Sequence, residues 1–181
     1  MHKMQASRGD KLKIGIVSDS HKKIDLLKNA LKKLKDDGAE FIIHAGDIVL
    51  KESLEVLKNS GLPYRAVFGN NDMGLLNLAG IYNIATEPHY FKIGEMRVKL
   101  MHYPYYLNND VNLIVFGHTH YFECELKNNT LYINPGEICA RKKPVSEFAL
   151  VENRDNKWKV FHYQKDMSNT NSKYLIKEFK I

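Results

Sequence analysis

Asn112-Leu113-Ile114-Val115-Phe116 runs directly into Gly117-His118-Thr119-His120. The first stretch is apolar after its asparagine and carries β-branched Ile114 and Val115, so it reads as a buried strand that the glycine ends. Two imidazoles separated by one residue then stand at the strand's C-terminal mouth. Neutral imidazole is the commonest protein ligand for a transition metal. Two neighbouring histidines are by themselves a weak signal. Four other stretches repeat the arrangement, and that repetition points to a metal site.

Residues 13–18 read as a strand and are followed by Asp19-Ser20-His21. Ile24, Leu27, Leu31 and Leu34 then recur at spacings of three and four, which predicts an amphipathic helix closed by Gly38. Phe41-Ile42-Ile43-His44 is a second strand, with Ala45-Gly46-Asp47 behind it. A helix over residues 51–59 and a strand over 65–68 follow, and that strand opens into Gly69-Asn70-Asn71-Asp72. The order β-α-β-α-β implies a layered α/β fold with right-handed crossovers. From residue 89 the pattern changes. A hairpin over 89–101 delivers His102, and short strands with turn signals at Asn128-Asn129, Pro135-Gly136 and Asp155-Asn156 predict a mostly antiparallel second half. The segment 103–110 is too short for more than about two helical turns.

The chain has 181 residues, 44% apolar and 27% charged, which suits one globular domain. The domain is expected over 12–165, behind a loose arm at 1–11 and ahead of a tail at 166–181 that packs on the body or on another subunit. No apolar run is long enough to cross a bilayer, and no secretory signal is read at the start. Cys124 and Cys139 form no metal-type pair, so a cytoplasmic protein with reduced thiols is expected. The net charge is +6 and the pI about 9.1. Lys22, Lys23, Lys28, Lys32, Lys33 and Lys35 are read as the solvated face of the first helix. No Arg-rich run or RNA-binding motif accompanies them, so nucleic acid is not the expected partner.

Asp19, His21, Asp47, Asn70, His102, His118 and His120 thus stand at the ends of five apolar strands. In open α/β folds, sites gather at the carboxyl ends of strands. Seven oxygen and nitrogen donors would overfill one ion and suit two. The mixed donors fit Mn²⁺, Ni²⁺, Fe²⁺, Zn²⁺ or Co²⁺, with Mn²⁺ as the first expectation, and exclude a thiolate-type zinc site.

The blocks Asp19-Ser20-His21, Gly46-Asp47, Gly69-Asn70-Asn71-Asp72, His102 and Gly117-His118-Thr119-His120 resemble those of the calcineurin-like metallophosphoesterase superfamily. Asn134-Pro135-Gly136 matches a turn of its small bacterial and archaeal phosphodiesterase branch. The resemblance spans about 12–165. It implies a two-sheet β-sandwich flanked by helices, with a parallel N-terminal half and a more antiparallel C-terminal half. It places Asp19, His21 and His120 on one metal and Asn70, His102 and His118 on the other, with Asp47 bridging. Water between the ions is then expected to ionise near neutral pH and to attack phosphorus in line. Asp47, Asn70, His102 and Asp72 are the expected catalytic group, Asp72 through orienting His102 or the Asn70 loop. The substrate expected is a small phosphoester, most simply a nucleotide-like diester.

Two positions depart from the family. Many members carry His after the block's Asn, where this chain has Asn71, and an amide cannot serve as a general acid near neutral pH. Diesters or activated esters are therefore expected over alkyl monoesters. Tyr103-Pro104 replaces the family's usual Gly-His, and Tyr103, Tyr105 and Tyr106 could stack a nucleobase or simply cover core. His44 is read as a core residue, Ser20 and Thr119 as loop-shaping, Glu137 as a turn residue, and His2, His89 and His162 as surface. The competing functions are a non-catalytic protein-interaction scaffold, as in a eukaryotic retromer subunit of this fold, and a nuclease. A homo-oligomer is also compatible with the tail.

Overall fold

A computed structural model describes residues 11–155 and 157–181. Residues 1–10 of the arm expected over 1–11, His2 among them, and the turn residue Asn156 lie outside the described residues. β1 (Leu12–Val17), α1 (Ile24–Asp36), β2 (Phe41–His44), α2 (Lys51–Lys58) and β3 (Tyr64–Val67) carry the β-α alternation. A 3-10 turn, Met73–Leu78, leads into the short β4 (Ile84–Ala85). The hairpin β5 (His89–Ile93) and β6 (Met96–Leu100) precedes β7 (Leu113–Val115), β8 (Phe122–Lys127) and β9 (Thr130–Pro135). β10 (Val145–Arg154), β11 (Lys157–Asp166) and β12 (Leu175–Lys180) close the chain.

These strands make two sheets. One runs β12-β11-β10-β1-β2-β3-β4 and the other β5-β6-β7-β9-β8. β1 to β4 pair in parallel, whereas β10, β11 and β12 add to the β1 edge antiparallel. In the second sheet β6, β7 and β9 are parallel, with β5 and β8 antiparallel at the edges. The later half is thus more antiparallel than the first, but a parallel trio sits at its centre.

Strand alternation builds two cores. Ile42 faces the helices and Ile43 the opposite sheet, because successive side chains point to opposite faces. Leu27, Leu31 and Leu34 of α1 meet Leu54 and Leu57 of α2 over Phe148 and Tyr163. Between the sheets, Ile14, Ile16, Ile43 and Val67 pack on Val98, Leu113, Val115 and Ile133. Such dry burial contributes roughly 1.5–3 kcal/mol per large side chain.

Two segments that the sequence left open take definite form, and one residue departs from its reading. Residues 103–110 form no helix. Instead the buried Lys99 reaches into the loop, its Nζ donating to the Tyr106 and Asn108 carbonyls and pairing with Asp110 at 2.5 Å. His162, read as surface, is 4% exposed, stacks on Phe122 at 3.7 Å and faces Glu147 at 3.2 Å. Period-2 alternation on β11 turns it inward with Val160. The tail folds back as β12, placing Phe179 opposite Val160 while Tyr174 packs edge-on against Phe148.

Phe148 is fully buried and stacks on Tyr163 at 4.7 Å. Phe148→Ala is expected to lower stability by about 3–5 kcal/mol. Tyr163→Phe removes only the hydroxyl that donates to Asp37 at 2.6 Å, and is expected to lower it by about 1 kcal/mol. Urea unfolding midpoints measured on the two variants check this order.

Candidate metal centre

The parallel strands of both sheets deliver their C-terminal ends to one rim. Asp19 and His21 follow β1, Asp47 follows β2, Asn70 follows β3, His102 follows β6, and His118 and His120 follow β7. The backbone turns sharply to aim these side chains. Asp19, His21, Asp47, His118 and His120 all have φ between 45° and 68°. This left-handed region is uncommon for residues with a Cβ and tends to mark functional loops. Two glycines let the loops close on one another. A Cβ on Gly69 would stand 2.3 Å from the Asp47 amide nitrogen and Oδ1, and one on Gly117 would stand 2.9 Å from Asp19 Oδ2. Backbone bonds then stitch the loops together. The amide of Asp19 donates to the Gly46 carbonyl at 3.0 Å, that of His21 to Asp47 at 2.9 Å, and that of Cys139 to Asp19 at 3.1 Å.

One half of the cluster comprises Asp19, His21, Asp47 and His120, with one ligand atom from each inside 4.8 Å of all the others. His120 Nε2 lies 3.3 Å from Asp19 Oδ1, and His21 Nε2 lies 3.6 Å from Asp47 Oδ2. Tetrahedral ligands around a transition metal stand about 3.3 Å apart. The other half gathers around Asn70, whose Oδ1 is 3.0 Å from His102 Nε2 and 3.2 Å from His118 Nδ1. Asp47 Oδ1 is 3.6 Å from His102 Nε2. The two oxygens of Asp47 therefore face different halves. All seven expected ligands meet at this one rim.

The donors suit a divalent cation. Asp19 Oδ2 accepts from Ser18 Oγ at 2.6 Å and from the His118 amide at 3.2 Å, while Oδ1 is buried with no hydrogen-bond partner, as is His21 Nε2. Each such orphan costs about 1–3 kcal/mol, and coordination removes that cost. Burial pushes the Asp19 carboxyl above its ordinary range, although Ser18 and the nearby imidazoles oppose it. A cation would reverse this. Burial alone would also raise Asp47, but the His102 imidazole and the two hydrogen bonds from Asn71 outweigh it and hold the carboxyl low. Burial lowers His21 and His118, which favours the neutral imidazole that binds metal. His102 is fixed by its Nδ1, which donates to the Ala45 carbonyl at 2.8 Å and leaves Nε2 free to coordinate.

Neighbouring residues take roles that the sequence left open. Asp72 does not touch His102. Its carboxylate accepts from the Gly69 amide at 2.7 Å and the Val49 amide at 2.6 Å, so it ties the Asn70 loop to the Asp47 loop. Asn71 turns toward Asp47, its side-chain amide donating to Oδ2 at 2.8 Å and its backbone amide to Oδ1 at 2.9 Å. His44 is fully buried beside Ser20 Oγ at 2.9 Å, and burial drops it to about 3. Tyr103 lies with its ring 4.1 Å from His118 and stacks on Tyr105.

Glu137 is the residue that sequence reasoning undervalued. It is fully buried, and its Oε2 accepts from His120 Nδ1 at 2.5 Å and from the Cys139 thiol at 3.2 Å. Its Oε1 accepts from the Lys142 and Lys143 amides at 2.7 and 3.2 Å. Burial would raise this carboxyl, but those bonds, led by His120, hold it below the ordinary range. The carboxylate beside it lifts the Cys139 thiol, already raised by burial, to about 12. The available signal was an acidic residue directly after the Asn134-Pro135-Gly136 turn at a strand end. Glu137→Gln keeps the shape but weakens the charge that orients His120. It is expected to lower metal affinity about 10- to 100-fold, measured by chelator competition.

The calcineurin-like phosphoesterase superfamily domain matches residues 12–156. A phosphodiesterase of Methanocaldococcus jannaschii is 28% identical over 149 residues, covering 71% of this chain and 85% of that protein. The Bacillus subtilis protein named Probable metallophosphoesterase YsnB is 32% identical over 130 residues, covering 68% and 73%. Among solved structures, a Vps29 variant from Entamoeba histolytica superposes with a TM-score of 0.72 at 19% identity, covering 94% of this chain and 99% of that one, which speaks to the fold alone. With the matched segment spanning every ligand-bearing loop, the chain belongs to the calcineurin-like phosphoesterase superfamily.

Proposed function

We propose that this chain is a phosphodiesterase that hydrolyses a small phosphodiester and depends on two divalent transition-metal ions. The observation that carries the reading is Asp47, one carboxylate with its two oxygens toward two separate groups of ligands. Asp19, His21 and His120 would hold one ion, Asn70, His102 and His118 the other, and Asp47 both. Bound there, such ions supply an ionised water near neutral pH and neutralise phosphoryl charge. The chain's part is to position. Asn71 clamps Asp47, Asp72 fixes the loops, and Glu137 and the Ala45 carbonyl orient the imidazoles of His120 and His102.

Substrate preference follows from the same residues. Asn71 cannot protonate a leaving alkoxide, so activated esters and diesters are favoured over alkyl monoesters. Tyr103 and Tyr105 stack at 5.0 Å with Tyr105 largely exposed, a flat face suited to a nucleobase. A non-catalytic protein-interaction scaffold on the same fold is the competing reading.

Chelator-stripped protein is expected to be inert toward bis(p-nitrophenyl) phosphate and to regain activity with Mn²⁺, with two metal equivalents bound by elemental analysis. A protein that takes up metal yet cleaves no phosphoester would favour the scaffold. Asn71→His is expected to raise the ratio of alkyl monoester to diester hydrolysis roughly ten- to a hundredfold. An unchanged ratio would count against the role given to the leaving group.

A further inference from the structure

A cleft of about 690 Å³ opens from the cluster at His21 and Asn71. Its size falls within the roughly 300–1,000 Å³ typical of small-ligand sites. Three cations line it, Lys22, Lys23 and Arg141, together with the apolar side chains of Leu26, Val49 and Met167. The two lysines precede α1 and do not belong to its solvated face. Lysines on that helix are otherwise engaged, Lys28 near Asp25, Lys32 with Asp36 and Lys33 with Asp37. Among the described residues, Lys22, Lys23 and Arg141 have no carboxylate partner within ion-pair distance. Three uncompensated positive charges around one concave wall mark a place for an anion.

The loop that presents Arg141 is built to hold its shape. Glu137 accepts the Lys142 and Lys143 amides on its far side, and Ala140 is locked at a φ of 53°. Lys22 and Lys23 sit in the turn after His21, closed by the Lys23 amide donating to the Ser20 carbonyl at 3.0 Å. One basic loop is therefore anchored to the carboxylate that orients His120, and the other continues directly from His21. A group in the cleft would be held in register with the scissile phosphorus. The tyrosines, in contrast, lie against His118, so the two surfaces flank the cluster through different ligands.

We infer that this cleft is a subsite for one arm of the diester and that it selects an arm bearing a second phosphate. The inference rests on the phosphodiesterase reading and names its substrate class, a diester whose bystander arm ends in a phosphomonoester. Leu26, Val49 and Met167 would contact the carbon skeleton between the two phosphates, and Arg141 with the two lysines would receive the terminal one. Arg141 matches phosphate oxygens in a fork, whereas the lysines act as point charges.

The test compares two esters that differ by one phosphate, thymidine 5′-(p-nitrophenyl phosphate) and its 3′-phosphorylated counterpart. Water adds to the 5′-phosphorus and p-nitrophenolate leaves in both. The Mn²⁺-loaded wild type is expected to prefer the 3′-phosphorylated ester about tenfold or more in kcat/KM. Arg141→Ala and the double variant Lys22→Ala/Lys23→Ala are expected to lose most of that preference, and raised salt should erode it in the wild type. Calorimetric binding of thymidine 3′,5′-bisphosphate against thymidine 5′-phosphate gives a readout independent of turnover. Equal use of the two esters, or a preference that survives both variants, overturns the subsite and leaves the phosphodiesterase reading standing. Tighter binding of the bisphosphate, lost in the variants, with no hydrolysis of either ester would support the subsite and overturn the phosphodiesterase reading.

Discussion

Asp47 is the constraint around which the molecule is arranged. It is 2% exposed, in left-handed backbone, and has one oxygen toward His21 and the other toward His102. A buried carboxylate between imidazoles is unstable to desolvation unless hydrogen bonds or a cation answer it. Asn71 answers both oxygens from one side, and a cation on either flank would answer the rest. The sandwich makes this possible. Two sheets, each with a run of parallel strands, bring five ligand-bearing strand ends to a single rim, so ligands separated by about a hundred residues become neighbours.

A layer of acceptors behind the ligands completes the arrangement. The Ala45 carbonyl takes the Nδ1 proton of His102, and Glu137 takes the corresponding proton of His120. Each bond fixes a tautomer and a ring plane and so aims Nε2. Glu137 also folds back the loop that carries Arg141, so orientation of a ligand and shape of the neighbouring cleft depend on one carboxylate.

Much of this was legible in the sequence because strand ends and polar ligands have local signatures. The run ending in Gly117-His118-Thr119-His120 and its counterparts placed the strands to within a residue or two and gathered all seven donors. What escaped depends on contacts between distant residues. His162 carries no motif, and only its pairing across β10 and its stack on Phe122 make it a core residue. Glu137 reads as a turn residue until β9 lays it against His120. Asp72 was given two partners, and the fold chose the loop amides over the imidazole. Lys22 and Lys23 matched a helical stripe, but the turn after His21 keeps them off the helix.

The left-handed residues at the rim have an evolutionary consequence. Five side chains with a Cβ in that region cost about 1 kcal/mol each, a sizeable share of the roughly 5–15 kcal/mol that separates a folded domain from its unfolded chain. Replacing any of them by glycine would relax the backbone, so unselected drift should discard them early. A lineage that used this fold only as a surface would gain robustness by letting the rim decay. In this chain all five positions keep a side chain at that backbone cost.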